Sequence, residues 1–212
     1  MIKTLLGILL LAVTVQYVFK ILYAFHYMKS SILYHHSPGP CLQLPGAEGG
    51  SEDLQVLEDG RTFISSGLFP DRRGRILYFD FADPEHKVAE LKIEGDIDLT
   101  NFSLITLMVE YFIDSAVDNI EVDPKTGDLY VGSHPIFHQI VAHSETMAKE
   151  GISPSQVLKF RVKDGKFTDV IEVLMNEGKT ITGSTIASMY KGRLIIGTLG
   201  QQLVLCDVKY NE

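Results

Sequence analysis

The sequence predicts an all-β chain folded as an incomplete β-propeller of about three blades, behind an N-terminal hydrophobic helix. Three observations predict it. First, a strand–turn–strand unit occurs three times, as "DLQVLEDGRTFISSG" (Asp53 to Gly67), "NIEVDPKTGDLYVGS" (Asn119 to Ser133) and "STIASMYKGRLIIGT" (Ser184 to Thr198). Second, the turn glycines of these units, Gly60, Gly127 and Gly192, stand 67 and 65 residues apart. That period exceeds the usual blade length of about 40–50 residues, as expected for blades carrying insertions. A meandering sandwich is the alternative arrangement of the same strands. Third, Thr4 to Met28 is apolar apart from Gln16, Lys20 and His26. Propellers close with about 4 to 8 blades, so three leave strand edges to be covered.

The elements follow in order. Residues 1–28 form a signal-anchor or transmembrane helix, since a span of about 20 apolar residues can cross a bilayer and Lys20 lies near one end, where it can snorkel. A cleaved secretory signal and a buried core helix are the alternatives. Residues 29–40, "KSSILYHHSPGP", read as a polar linker ending in Pro and Gly. Residues 41–212 form the partial propeller domain. Each repeat unit ends in an apolar strand stopped by small Ser, Gly or Thr residues. Further strands follow the units as "RILYFDF", "QVLKFRV" and "QLVLCDV". "NFSLITLMVEYFIDSA", Asn101 to Ala116, breaks the theme: its apolar run carries no turn signal and fits a buried strand, a short helix or a junction.

With 212 residues and 45% hydrophobic content, the chain has enough apolar material for one domain with a core. A formal net charge of −8 argues against a nucleic-acid partner. The two cysteines, Cys41 and Cys206, open and nearly close the domain. In an oxidising compartment they pair and tie the ends together; otherwise they are two buried thiols. Asn101-Phe102-Ser103 is a glycosylation sequon and agrees with a lumenal location.

Glu52, Asp53, Asp118 and Asn119 are the chemically informative residues. All fall where the first strand of a repeat unit begins, and in a propeller those entry points converge on the central channel. Each is a hard oxygen donor of the kind calcium collects, at about 6–8 per ion. Asp and Asn are also ordinary turn residues, which is the plainer reading. His134 and His138 are four apart, a helical metal spacing, but Pro135 and the strand before it argue against a helix there. His134 therefore reads as a channel or surface histidine. His35 and His36 read as solvated linker residues. Ser184 lacks the flanking glycines of a nucleophile elbow.

Three motifs in order, "GSEDLQVLEDGRTFISSGL", "VDNIEVDPKTGDLYVGSHP" and "GSTIASMYKGRLIIGT", resemble the paraoxonase/arylesterase family. The likeness covers Cys41 to about Phe102 and about Ser115 to Asp207. It implies a six-bladed propeller with two calcium ions in its tunnel, and calcium-dependent hydrolysis of lactones and aryl esters. It implies that Glu52, Asp118 and Asn119 are ligands of the catalytic calcium and that Asp53 binds the structural one. It also implies that Cys41 and Cys206 are the end-closing disulfide. Between the two matching parts, relatives continue with an Asn-Pro-His-Gly motif that this chain lacks. About three blades go with it, as do the tunnel histidines and further calcium ligands.

Three functional expectations follow. The first is a calcium-dependent arylesterase/lactonase, impaired by the shortening, with Glu52, Asp118 and His134 as its candidate catalytic groups and small lactones or aryl esters as substrates. The second is a non-catalytic, membrane-anchored, chaperone-like partner of membrane proteins. The third is an inactive shortened form whose open edges and "SLITLMVEYFI" run invite aggregation. All three place the chain in the secretory pathway, membrane-anchored or extracellular.

Overall fold

The structure is a computed structural model that describes residues 2–25, 27, 33–48, 50–67, 74–91, 115–146, 151–163, 166–200 and 202–209. The "SLITLMVEYFI" run and Asn101 lie outside the described residues.

Helix α1, Ile2–Ala24, opens the chain. Its stretch Leu6–Ala24 is 19 residues long with mean hydropathy 1.9, and none of it is buried against the rest of the protein. At 1.5 Å per residue it reaches about 28 Å, close to the hydrocarbon thickness of a bilayer.

The strands are β1 (Cys41–Leu44), β2 (Asp53–Val56), β3 (Arg61–Ser66), β4 (Arg75–Asp80), β5 (Val88–Glu90), β6 (Ala116–Val122) and β7 (Leu129–His134). Helix α2 (Phe137–Glu145) follows, then β8 (Ser155–Lys163), β9 (Lys166–Asn176), β10 (Ser184–Tyr190), β11 (Arg193–Thr198) and β12 (Leu203–Asp207). They form three four-stranded antiparallel sheets, ordered β2-β3-β4-β5, β6-β7-β8-β9 and β1-β12-β11-β10. These are blades of an all-β, incomplete propeller, as the repeat units predict, and not the layers of a sandwich. The leading strands β2, β6 and β10 face one another, with β10 packed against both β2 and β6.

The turns explain the hairpins. Between β10 and β11, Lys191 (φ 47°) and Gly192 (φ 77°) make a two-residue turn with both φ positive, which matches the twist of the paired strands. Between β6 and β7, Asp123 accepts from the Lys125 amide at 2.9 Å and from the Thr126 hydroxyl at 3.0 Å, closing the Pro-containing loop.

The small residues that end each unit have a packing reason. A methyl group on Gly132 would lie 2.2 Å from the Thr185 carbonyl carbon, and one on Gly197 would lie 2.2 Å from the Ser51 carbonyl oxygen. Only glycine lets β7 and β11 approach the neighbouring blades this closely. The buried hydroxyls beside them bond across the same seams. Ser184 Oγ donates to Gln156 O at 2.9 Å and Ser51 Oγ donates to Gln202 O at 2.6 Å. Ser184 is thus fully buried and committed to backbone, which explains its position without a nucleophilic role.

The apolar core lies between blades. Ile186 and Ile195 of the last sheet pack with Leu54, Ile64, Leu77 and Phe79 of the first. Leu194, Ile196 and Val204 pack with Tyr130, Val157 and Leu174 of the second. The last sheet takes its outer strand from the N-terminal side of the domain. β1 pairs with β12, Cys41 stands opposite Cys206, and a disulfide joins them across 165 residues of chain. Before β1 the chain touches the middle blade, where His36 and Met175 exchange backbone hydrogen bonds of 2.7 and 2.9 Å. His36 is half-buried there, a correction to its solvated reading, while His35 is exposed as expected. Pro135 separates strand from helix: His134 ends β7 and α2 starts at Phe137, so the His134/His138 pair shares no helix, as expected, while α2 packs Ile140 and Phe137 on Leu199.

Candidate metal and hydrolytic site

Asp118 and Asn119 occupy a bulge. Val117 pairs with Ser133 and Ile120 with Val131, so two residues of β6 face the single residue Gly132 of β7. A bulge re-aims side chains that regular alternation would send elsewhere. It explains how the strand carries a charge and an amide side by side near its start. Asp118 Oδ2 lies 2.8 Å from Nε2 of His134, the last residue of β7. Among the described residues, the Nδ1 atom of His134 is buried without a hydrogen-bond partner. Asn119 Nδ2 crosses to the first blade and donates to Glu52 O at 2.7 Å.

Glu52 and Asp53 stand at the entry of β2. The Glu52 amide donates to Ser65 O at 3.1 Å, and the Asp53 amide donates to Ser65 Oγ at 3.1 Å. Burial pushes the Glu52 carboxyl up to about 8, and the charges of Asp118 and Asp53 add to the rise. Asp53 reaches the surface but is also raised. Lost hydration is the main cause and the Asp118 charge assists, while the Leu54 amide pulls the other way. The fold therefore brings Glu52, Asp53, Asp118 and Asn119 together, from two blades, into one electrostatically coupled group.

One charged residue of this region escaped sequence reasoning. Glu121, one turn of the β6 pleat below Asn119, is buried and accepts from Gln55 Nε2 at 2.9 Å. Burial pushes it up to about 7; the Val56 backbone opposes this and the Asp53 charge adds to it. The signal was a charge in the middle of "NIEV", but the bulge changes which face that position occupies. His134 and His138 do not share a ligand. His134 bonds Asp118, whereas His138 Nδ1 lies 3.1 Å from Phe25 O at the end of α1.

The donor set suits a hard cation in kind. Three carboxylates and an amide from two blades crowd together, and the mutual repulsion of the carboxylates is what a cation relieves. The set is partial. Among the described residues no three His, Cys, Asp or Glu side chains are spaced to hold a metal ion together. These residues supply a share of the 6–8 oxygens calcium takes.

The Arylesterase family's sequence model matches residues 100–208. Among individual proteins, human serum paraoxonase/arylesterase 1 is 36% identical over 160 residues, covering 74% of this chain and 41% of that protein. The mouse protein of the same description is 33% identical over the same length and shares. Rabbit serum paraoxonase/lactonase 3 is 34% identical over 109 residues, 51% of this chain and 28% of that protein. The chain thus spans less than half the length of the relatives it matches. The family match covers the bulged strand and both later blades, and the human likeness extends over three quarters of the chain: this protein belongs to the arylesterase family.

Proposed function

We propose that this chain carries part of the site of a calcium-dependent arylesterase/lactonase, acting on small aryl esters or lactones in the secretory pathway. The observation that carries the reading is the Glu52–Asp53–Asp118–Asn119 group with His134 bonded to Asp118. Glu52, Asp118 and Asn119 would hold the catalytic cation, and Asp53 would face the structural one. Calcium, when bound, supplies a Lewis acid that polarises the ester carbonyl. The chain's own residues would handle the proton: a carboxylate near the cation, Glu52 or Asp118, would activate water, and His134, with Nε2 bonded to Asp118 Oδ2, positions that carboxylate. Asn119 holds the two blade entries in register through Glu52 O.

The test is hydrolysis of phenyl acetate and a simple lactone by the full chain in detergent, with calcium and with chelator. Calcium-dependent turnover lost in both Glu52→Gln and His134→Gln is expected. Turnover that survives chelation and both substitutions refutes the assignment. A second reading, a non-catalytic anchored partner of membrane proteins, is favoured by one observation, the exposed apolar length of α1. Absence of turnover together with co-purification of membrane proteins that Glu52→Gln leaves intact supports it.

A further inference from the structure

The first strands of the three blades do not bury their apolar side chains alike. On β2, Leu54 and Val56 are buried against the last blade, and on β10 Ile186 and Ala187 are fully buried. On β6, Val117, Ile120 and Val122 are 53%, 37% and 51% exposed. The register shows which side they occupy. Ile120 pairs with Val131 and Val122 with Leu129, whereas the alternate residues Tyr130 and Gly132 meet the last blade. Side chains alternate along a strand, so the exposed apolar residues of β6 stand on the side turned away from the last blade. The first blade has an outer side too. Leu54, Ile64 and Leu77 face the last blade, and the alternate positions Gln55, Phe63 and Tyr78 form a cross-strand row on the other side. Gln55 is exposed there, and Phe63 and Tyr78 are half-buried with their rings 6.0 Å apart. The last blade stands between the other two, with β10 packed on both β2 and β6. The three-blade unit therefore ends in two different flanks.

We propose that a second copy of this chain closes the ring, the first-blade flank of each copy seated on the second-blade flank of the other, with a two-fold axis along the channel. Blade number selects this occupant. Propellers close with about 4 to 8 blades. The described residues of one chain supply three blades, so two copies supply six and three copies overshoot. Two-fold closure uses both flanks at once, and the new seam, made twice, sets sheet face against sheet face as the two seams inside the chain do. It also puts two copies of the candidate site on one axis. Glu52, Asp118 and Asn119 are three oxygen-bearing side chains per chain and six per pair, which reaches the 6–8 oxygens calcium takes. The set that one chain holds in part becomes a full one. Like charges gather on the axis as well, so a cation there favours assembly and its removal opposes it. This calcium dependence rests on the proposed hydrolytic site; the ring itself rests on the flanks.

The test is sedimentation equilibrium of the full chain in detergent, with calcium and with chelator. A protein mass of twice 23.6 kDa is expected with calcium. For an ion bound only by the pair, calcium at about ten times its binding constant lowers the pair's dissociation constant about ten-fold. Ile120→Lys with Val122→Lys is expected to give single copies in both conditions, and Val122→Ile to leave the pair intact. A pair that ignores the β6 substitutions is held elsewhere, by α1 for example, and overturns the proposal. So do single copies in calcium at every concentration. A pair that forms equally with and without calcium, yet separates on the β6 substitutions, supports the ring and removes the cation from it. Cross-linking reads the arrangement without disruptive variants. The native cysteines are paired, so an added one is unique. Gln55 bonds Glu121 and shares the Tyr78 row, which places Tyr78 and Val122 at one height along the channel. Chains carrying Val122→Cys mixed with chains carrying Tyr78→Cys are expected to link through a flexible bismaleimide. Chains all carrying Tyr78→Cys are expected to link far less, because β4 lies two strands out from the channel in each copy, about 20 Å or more from its mate. Linking of 78 to 78 as readily as of 78 to 122 overturns the proposal.

Discussion

Replacing Glu52 by Gln should stabilise the metal-free protein, and by an amount that grows with pH. The folded-state carboxyl stands at about 8 against an ordinary 4.5, raised by burial and by Asp118 and Asp53. Below pH 4.5 both folded and unfolded states are protonated, and the substitution has no electrostatic effect. As pH rises from there, the unfolded state ionises while the folded state holds its proton, so native stability falls. Above pH 8 both are ionised and the loss is complete. At 1.36 kcal/mol per pH unit, the penalty is about 3 kcal/mol at pH 7 and about 5 kcal/mol at full ionisation, as upper estimates. Gln never ionises and escapes it. The assay is urea unfolding of full chain in detergent with chelator, at several pH values from about 5 to 9. Parallel stability curves for the native protein and Glu52→Gln would refute the reasoning. Adding calcium supplies the complementary result: a cation that binds ionised Glu52 raises the unfolding midpoint more at alkaline than at acidic pH, and Glu52→Gln loses most of that gain.

Other outcomes follow from the same structure. Glu121→Gln should flatten a further part of the pH dependence between about 4.5 and 7, since burial raises that carboxyl too; the same urea series reads it. Replacing Cys41 and Cys206 together by Ser opens a 165-residue loop, with an expected loss of up to about 5 kcal/mol in the chain-entropy account, seen as a lower unfolding midpoint. Gly132→Ala should cost about 1–3 kcal/mol because the new methyl meets Thr185 backbone rather than a side chain that can turn aside. Gly192→Ala meets open space and should cost only the strain of its positive φ, about 1 kcal/mol, measured on the same denaturation curves.

The parts of this fold legible in the sequence are those written in local chemistry. The hairpins β2–β3, β6–β7 and β10–β11 announce themselves by Asp-Gly, Pro-Lys-Thr-Gly and Lys-Gly turns between apolar strands. The outer strands do not. β5 is three residues long and mostly exposed, so no alternation marks it. β1 completes a sheet whose other strands lie about 140 residues or more away, and only the cysteine pair hints at it. The candidate site shows the same division. Glu52, Asp53, Asp118 and Asn119 stood out as polar residues at strand entries, yet their meeting depends on a bulge at Gly132 that no period reveals. Glu121 stayed hidden because that bulge moves it; His138 stood out, but its partner did not, since that is a backbone carbonyl far along the chain.

The strand order of the last sheet also sets a sequence of events during synthesis. Among the described residues, the one sheet partner of β1 is β12, which is made about 160 residues later. Until then Cys41 has no mate and β1 no ladder. A chain tethered by α1 would wait in the membrane's vicinity with an open edge, available to holding factors and to edge-to-edge pairing alike. Formation of the Cys41–Cys206 bond therefore follows the synthesis of every strand that lies between the two cysteines. Its appearance in a pulse-chase of newly made chain would time the moment the domain passes from nascent to mature.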